Sequence, residues 1–213
     1  GYDNTKDTMY SFNPQKAKKL LAEAGYPNGK NFPAIKIELN SGGAKHAWVV
    51  DEIQKQLKAV LNINVEYDIV PFKQKLEDAK FARSDIFRSA WIADFPSPEN
   101  FLWVLYGANV PDNLTEPSYP NIPRYKNEAY DKEFEAGKSA KTLEESYTHF
   151  KKAEKIMMED APIMVLWYGE NLKLIHSHVK NYKFNPMNFR SLTEVYLKKD
   201  ASVVSDEKRA EAK

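Results

Sequence analysis

Apolar positions along the chain alternate between two periods, and the alternation predicts an α/β order. Between Asn13 and Gly25, the residues Ala17, Leu20, Leu21 and Ala24 recur at helical spacing. Asn13 suits the N-cap, Pro14 the first helical position and Gly25 the far end. Tyr26-Pro27-Asn28-Gly29 reads as a turn. Ile35, Ile37 and Leu39 then alternate with Lys36, Glu38 and Asn40, which predicts a strand with one wetter face. Ser41-Gly42-Gly43 breaks that strand. From Ala44 to Leu61 a stripe of Val49, Val50, Ile53, Leu57, Val60 and Leu61 predicts a helix. Ile63, Val65, Tyr67 and Ile69 alternate as a second strand, and Pro71 opens a short helix through Phe72 and Leu76.

Asp85 to Ala93 is mostly apolar and lacks glycine and proline, so it predicts a third, buried strand. Pro96 and Pro98 force a turn, and Glu99 to Tyr106 suits a helix. Residues 107–124 hold Pro111, Pro117, Pro120 and Pro123 and predict a long surface loop. A helix is expected over 127–137. Thr142-Leu143-Glu144-Glu145 is a capping box that opens a longer helix to Asp160, stopped by Pro162. Ile163–Tyr168 and Leu172–Val179 read as two more strands, and a short one is expected near Val195. Strands separated by helices of ten or more residues imply an α/β domain with a central, mixed but mostly parallel sheet flanked by helices. Ligands of such open sheets bind beyond the carboxyl ends of the strands, which directs attention to the residues after Ala93.

Composition narrows the function classes. The chain has 213 residues, 42% of them apolar, enough to bury a core. Its 31 basic and 30 acidic side chains nearly cancel, so no long-range field draws nucleic acid or anionic lipid. No apolar run is long enough to span a membrane. The polar start, Gly1-Tyr2-Asp3-Asn4, carries no signal segment and begins as though cut from a longer chain. Without cysteine there is no thiolate metal site, disulfide or cysteine nucleophile. No Gly-rich phosphate loop or Gly-x-Ser-x-Gly elbow is found, and no cofactor is expected. Residues 201–213 form a charged, flexible tail.

The segment from Arg88 to Leu102, RSAWIADFPSPENFL, carries the candidate chemistry. It reads as a strand ending in one carboxylate, Asp94, followed by a proline-stiffened turn. A carboxylate at the mouth of a sheet can accept charge-assisted hydrogen bonds from an ammonium group. Trp91 offers a flat wall. With Phe12-Asn13-Pro14-Gln15-Lys16-Ala17, Leu20 to Gly29, Tyr130-Asp131, Ala153 to Met157, Asp160 to Met164, Val179 to Tyr182 and Val195-Tyr196-Leu197, this segment resembles the C-terminal part of the family-5 extracellular solute-binding proteins, the oligopeptide- and dipeptide-binding proteins of ABC importers. The likeness runs from about Tyr10 to Leu197.

That resemblance implies a periplasmic-binding-protein-like lobe over residues 1–200, with a return segment at about 179–200, belonging to a two-lobed clam-shell. It implies a binding protein and not an enzyme. The partners it implies are a short peptide, the N-terminal lobe and an ABC permease in the membrane, with a periplasmic or extracytoplasmic location and a lipid anchor on a preceding segment. It assigns Asp94 to the ligand's α-ammonium group and Trp91 to the wall of the site. Arg88 and His46 would approach the ligand's carboxylate end, and Phe72 would line a pocket. The chain departs from the family pattern at Ala90, where glycine is usual, and at Ser97-Pro98, where Asp-Pro is common. The same fold also takes up nickel chelates, haem, sugars or opines.

Each residue also has a structural reading. Asp94 suits a cap on the following helix, and Trp91 and Phe72 suit the core. Arg88, about 20 Å from Asp94 along a fully extended strand, suits an ion pair with Asp85 or Glu77. His46 suits a solvated helix start. His176 and His178 share a strand face and could hold zinc or nickel, but two ligands fall short of a site. An Asp85/Asp94 hydrolase pair is conceivable, with no spacing that demands it.

Overall fold

The computed structural model describes residues 10–170, 172–185, 187 and 189–198. They form two compact units. One holds the described residues up to Trp91 together with Ser97–Ile163; the other holds Ile92–Pro96 and the described residues from Met164 onward. The charged tail lies outside the described residues.

The first unit opens with α1 (Pro14–Glu23), where Asn13 Oδ1 accepts from the Lys16 amide at 2.9 Å. The strand β1 (Ile35–Asn40) runs parallel to β2 (Val65–Val70) along its whole length, with Ile35 opposite Val65 and Asn40 opposite Val70. The helix α2 (Ala44–Leu61) connects them. It ends at Asn62, whose left-handed backbone (φ 57°) closes the last turn. Ile37, Leu39, Val50 and Val65 form the core between α2 and the sheet, because period-two alternation puts the odd residues of β1 on one face. β2 leads into α3 (Phe72–Lys80).

Two expectations change here. The strand expected over Asp85–Ala93 pairs only at β3 (Ile86–Phe87), parallel to β1 at the edge of the order β2-β1-β3. Ile86 is 40% exposed, so the segment is not buried on both faces. An edge strand has one neighbour, and its apolar content cannot reveal that position. The wetter face of β1 is also not wet throughout. Glu38 is buried, as are Lys75 and Asp78 of α3.

The second half of this unit is helical. α4 (Pro98–Leu102) passes into a short 3₁₀ turn at Trp103–Leu105. The long loop that follows is pinned by buried polar groups. Asn121 donates to the carbonyls of Tyr106 (3.1 Å) and Tyr125 (2.8 Å) and accepts from the Tyr125 amide (2.9 Å). Arg124 and the Ser118 amide both donate to the Lys80 carbonyl, tying the loop to the end of α3. α5 (Glu128–Ser139) and α6 (Leu143–Asp160) pack as a pair, capped by Asn127 and Thr142. Their core is Tyr130, Phe134, Phe150, Ala153 and Met157, joined by Leu102 and Leu105. The Tyr130 hydroxyl donates to the Leu102 carbonyl at 2.5 Å in a fully buried position. Tyr130→Phe removes this bond from a fully buried site and is expected to cost about 1 kcal/mol, read as a lower urea midpoint at unchanged slope.

In the second unit β4 (Val179–Lys180) pairs antiparallel with β5 (Tyr196–Leu197). The Lys198 amide extends this ribbon by donating to the His178 carbonyl at 2.8 Å. The strands expected over Ile163–Tyr168 and Leu172–Val179 are not formed among the described residues, apart from Val179. Their apolar side chains stand exposed, with Leu172 at 89% and Leu174 at 92%. A β-type pattern favours extended chain, but a strand also needs an edge to pair with. His176 and His178 precede β4, and their stacked rings lie 5.2 Å apart. Among the described residues no group of three or more metal-ligating side chains comes together, and no helix is long and apolar enough to cross a membrane.

Candidate functional site

The three parallel strands of the first unit all end towards one rim, and each delivers a residue singled out by the sequence. Beyond β1, the Ser41-Gly42-Gly43 break leads into the first turn of α2, which carries His46. Beyond β2, Phe72 is the first residue of α3. Beyond β3 come Arg88 and then Trp91. The Ser41 amide donates to the Val70 carbonyl at 2.8 Å, so the β1 and β2 exits lie side by side. This is the rim at which open α/β sheets receive ligands.

Lys75 links two of these residues. Its ammonium lies 5.6 Å from the centroid of the Phe72 ring and donates to the Arg88 carbonyl at 3.1 Å. The Arg88 amide in turn donates to the Glu38 carbonyl at 3.0 Å. Phe72, Lys75, Arg88 and Glu38 therefore form one connected group. Phe72 is 55% exposed, so the core reading fails for it. Neither acid offered to Arg88 by the sequence is used in that way: Asp85 accepts from the Lys36 amide at 2.9 Å, and Glu77 pairs with Lys80 at 3.1 Å.

Trp91 is half-buried. Its indole Nε1 donates to Asn100 Oδ1 at 2.7 Å, and its ring lies 6.4 Å from that of Trp103. His46 is also half-buried, and its Nδ1 is shielded from solvent without a hydrogen-bond partner among the described residues. That is not the solvated histidine of the simple reading. Asp94 is exposed within the bend 94–97 and belongs to the second unit. The side chain that caps α4 is Ser97, whose Oγ accepts from the Glu99 amide at 3.2 Å.

Burial sets the electrostatics around Lys75. Loss of water pushes its ammonium below the ordinary lysine range; the Arg88 charge pushes the same way, and Glu38 partly opposes it. Glu38 is pushed up, first by burial, then by Asp78 and Asp68, against Lys75 and Lys36. Its Oε1 has no hydrogen-bond partner among the described residues. The sequence missed this pair. Lys75 follows Phe72 at the i,i+3 spacing that places both on one helix face, but only the packing of α3 on β1 shows that this face is covered.

Comparison with known proteins decides the family. The model of the bacterial extracellular solute-binding proteins, family 5 (middle region), matches residues 1–113, which include β1, β2, α3, Arg88, Trp91 and Asp94. The chain belongs to that family. As a family-5 member it is similar to the periplasmic murein peptide-binding protein MppA of Escherichia coli, 28% identical over 169 residues, covering 79% of this chain and 29% of that protein. It is similar to the oligopeptide-binding protein OppA of Bacillus subtilis, 26% identical over 185 residues, covering 81% and 32%. A crystal structure of a periplasmic oligopeptide-binding protein from Borrelia burgdorferi superposes with a TM-score of 0.65 at 31% identity, covering 75% of this chain and 30% of that one. The periplasmic-binding-protein-like α/β fold is thereby established for this family-5 chain, which spans only a minority of the length of these relatives.

Proposed function

We propose that this chain supplies the C-terminal lobe of an extracytoplasmic solute-binding protein that captures short peptides and hands them to an ABC permease in the membrane. The observation that carries the reading is the arrival of His46, Phe72, Arg88 and Trp91 at one rim, beyond the carboxyl ends of β1, β2 and β3, in a family-5 chain. Asp94 then serves as the acceptor for the peptide's α-ammonium group, and Trp91 as a wall. Arg88 and His46 serve the peptide's carboxylate end. The second wall comes from an N-terminal lobe, and ligand capture closes the two. A preceding segment directs export and carries the lipid anchor.

The exposed apolar run from Met164 to Tyr168, with Leu172 and Leu174, supports the need for that lobe. Side chains of this kind seldom stay in water over so long a stretch.

Isothermal titration of a polypeptide containing both lobes tests the reading. It is expected to bind a short peptide with a free amino terminus. Asp94→Asn should weaken that binding roughly tenfold to a hundredfold, the size of a charged hydrogen bond. An N-acetylated peptide should lose a similar amount on the unmodified protein. Equal affinity for free and acetylated peptides, or a co-purified nickel chelate, haem, sugar or opine in place of peptide, would overturn it.

A further inference from the structure

Lys75 is 3% exposed, yet among the described residues no carboxylate stands within ion-pair distance of it. Burying an ammonium group in this way is costly. An apolar side chain of the same volume would hold α3 against β1 without the cost, so packing alone does not explain a lysine at this position.

The hydrogen bonds indicate what it does. β3 pairs for two residues, and the ladder's last bond is the Arg88 amide to the Glu38 carbonyl. Lys75 takes up the carbonyl of the same residue at 3.1 Å. The Arg88 backbone is thus held from β1 on one side and from α3 on the other, at the point where the sheet stops guiding the chain. Three residues on, Trp91 is held by Asn100. The arm that carries Arg88 is fixed at both ends, and a second cation lies close behind the first.

We propose that Lys75 is a positioning residue for Arg88, and that its buried charge reinforces Arg88 in favouring a ligand end that carries a carboxylate. This rests on the peptide-binding reading above. The charged groups around Lys75 are Arg88 after β3 and Glu38 on β1, and Glu38 itself faces Asp78 of α3, Asp68 of β2 and Lys36 of β1. Burial, and after it the Arg88 charge, against Glu38, bring the loss of the Lys75 proton below the ordinary lysine range of about 10.4. Raising the pH towards that value removes the reinforcing charge.

The test uses the two-lobed protein and one peptide sequence in two forms, with a free carboxylate or a carboxamide at its C-terminus. The readout is the ratio of their affinities, because titration of the peptide's amino group cancels from it. In the unmodified protein the ratio should favour the carboxylate at neutral pH and fall towards the Lys75→Met value as the pH rises through the lysine range. Lys75→Met should show the low ratio at every pH, with the carboxamide form bound within about twofold of normal. Lys75→Arg should keep the high ratio and lose its dependence on alkaline pH. A ratio in the unmodified protein that stays constant through the lysine range would overturn the assignment, whether or not the variants fold. Failure of the unmodified protein to bind either peptide would overturn the peptide reading, and this one with it; binding of both with an unmoved ratio overturns the Lys75 role alone.

Discussion

Phe150→Ala is expected to remove about 3–5 kcal/mol of stability, the range for emptying an aromatic site in a packed core. Phe150 is 1% exposed and lies with its ring centroid 6.1 Å from that of Phe134, which stacks in turn on Tyr130. Gly137, one turn on from Phe134 along α5, lies so close that an added Cβ there would fall 2.5 Å from the ring. The two helices are interlocked at this point, ring against backbone, and a shift of α5 to refill the space would disturb the Tyr130 hydrogen bond to Leu102. Residual cavity therefore adds to the lost burial. For a chain of this length the loss corresponds to a fall in Tm of roughly 6–20 °C. Leu143→Ala on the same helix is the control. Leu143 is 72% exposed, and its loss should change stability by less than about 0.5 kcal/mol. A Phe150→Ala protein that melts within about two degrees of the parent would contradict this account of the core.

Gly29→Ala should be the next most damaging substitution, at about 3 kcal/mol. Two causes add. The Gly29 backbone lies in the left-handed region (φ 71°), which costs an alanine about 1–2 kcal/mol. An added Cβ would also lie 2.5 Å from the Leu61 carbonyl oxygen and 2.7 Å from that of Asn62. These are backbone atoms at the C-cap of α2, and Asn62 further holds the turn by donating to the Asn28 carbonyl at 3.2 Å. Relief of the clash must move the cap or the turn. Gly25 separates the two causes. It has a left-handed backbone as well (φ 92°), with nothing within 4 Å of an added Cβ. Gly25→Ala should therefore show the conformational cost alone. Urea titration of the two variants measures the difference; equal midpoints would mean that the turn and the α2 cap do not press on one another.

Local physics made much of the first unit legible in advance. Asn13 and Pro14, the capping box at Thr142 and the alternation at Ile35–Leu39 each specify a conformation through neighbours a few residues away, and each element formed where its pattern stood. The candidate rim followed from the same evidence, since strands linked by helices run parallel and end together. The residues themselves pointed to Asp94 and Trp91, and family resemblance supplied Arg88, His46 and Phe72.

What no local pattern carries is the identity of the partner across a space. The apolar residues around Ile86 could not tell a central strand from an edge, and Ile163–Tyr168 could not tell a strand from extended chain without a ladder. Lys36, Glu38 and Asn40 gave one polar signal, but α3 covers Glu38 and leaves Lys36 to pair at the surface with Asp68 at 2.8 Å. So the sequence by itself determined the order of elements in the first unit, the caps at Asn13 and Thr142, and the end of the sheet at which the candidate residues gather. Tertiary structure alone decided which polar side chains lose water, because burial depends on what another segment lays over them. Lys75 became a candidate only when that covering was known.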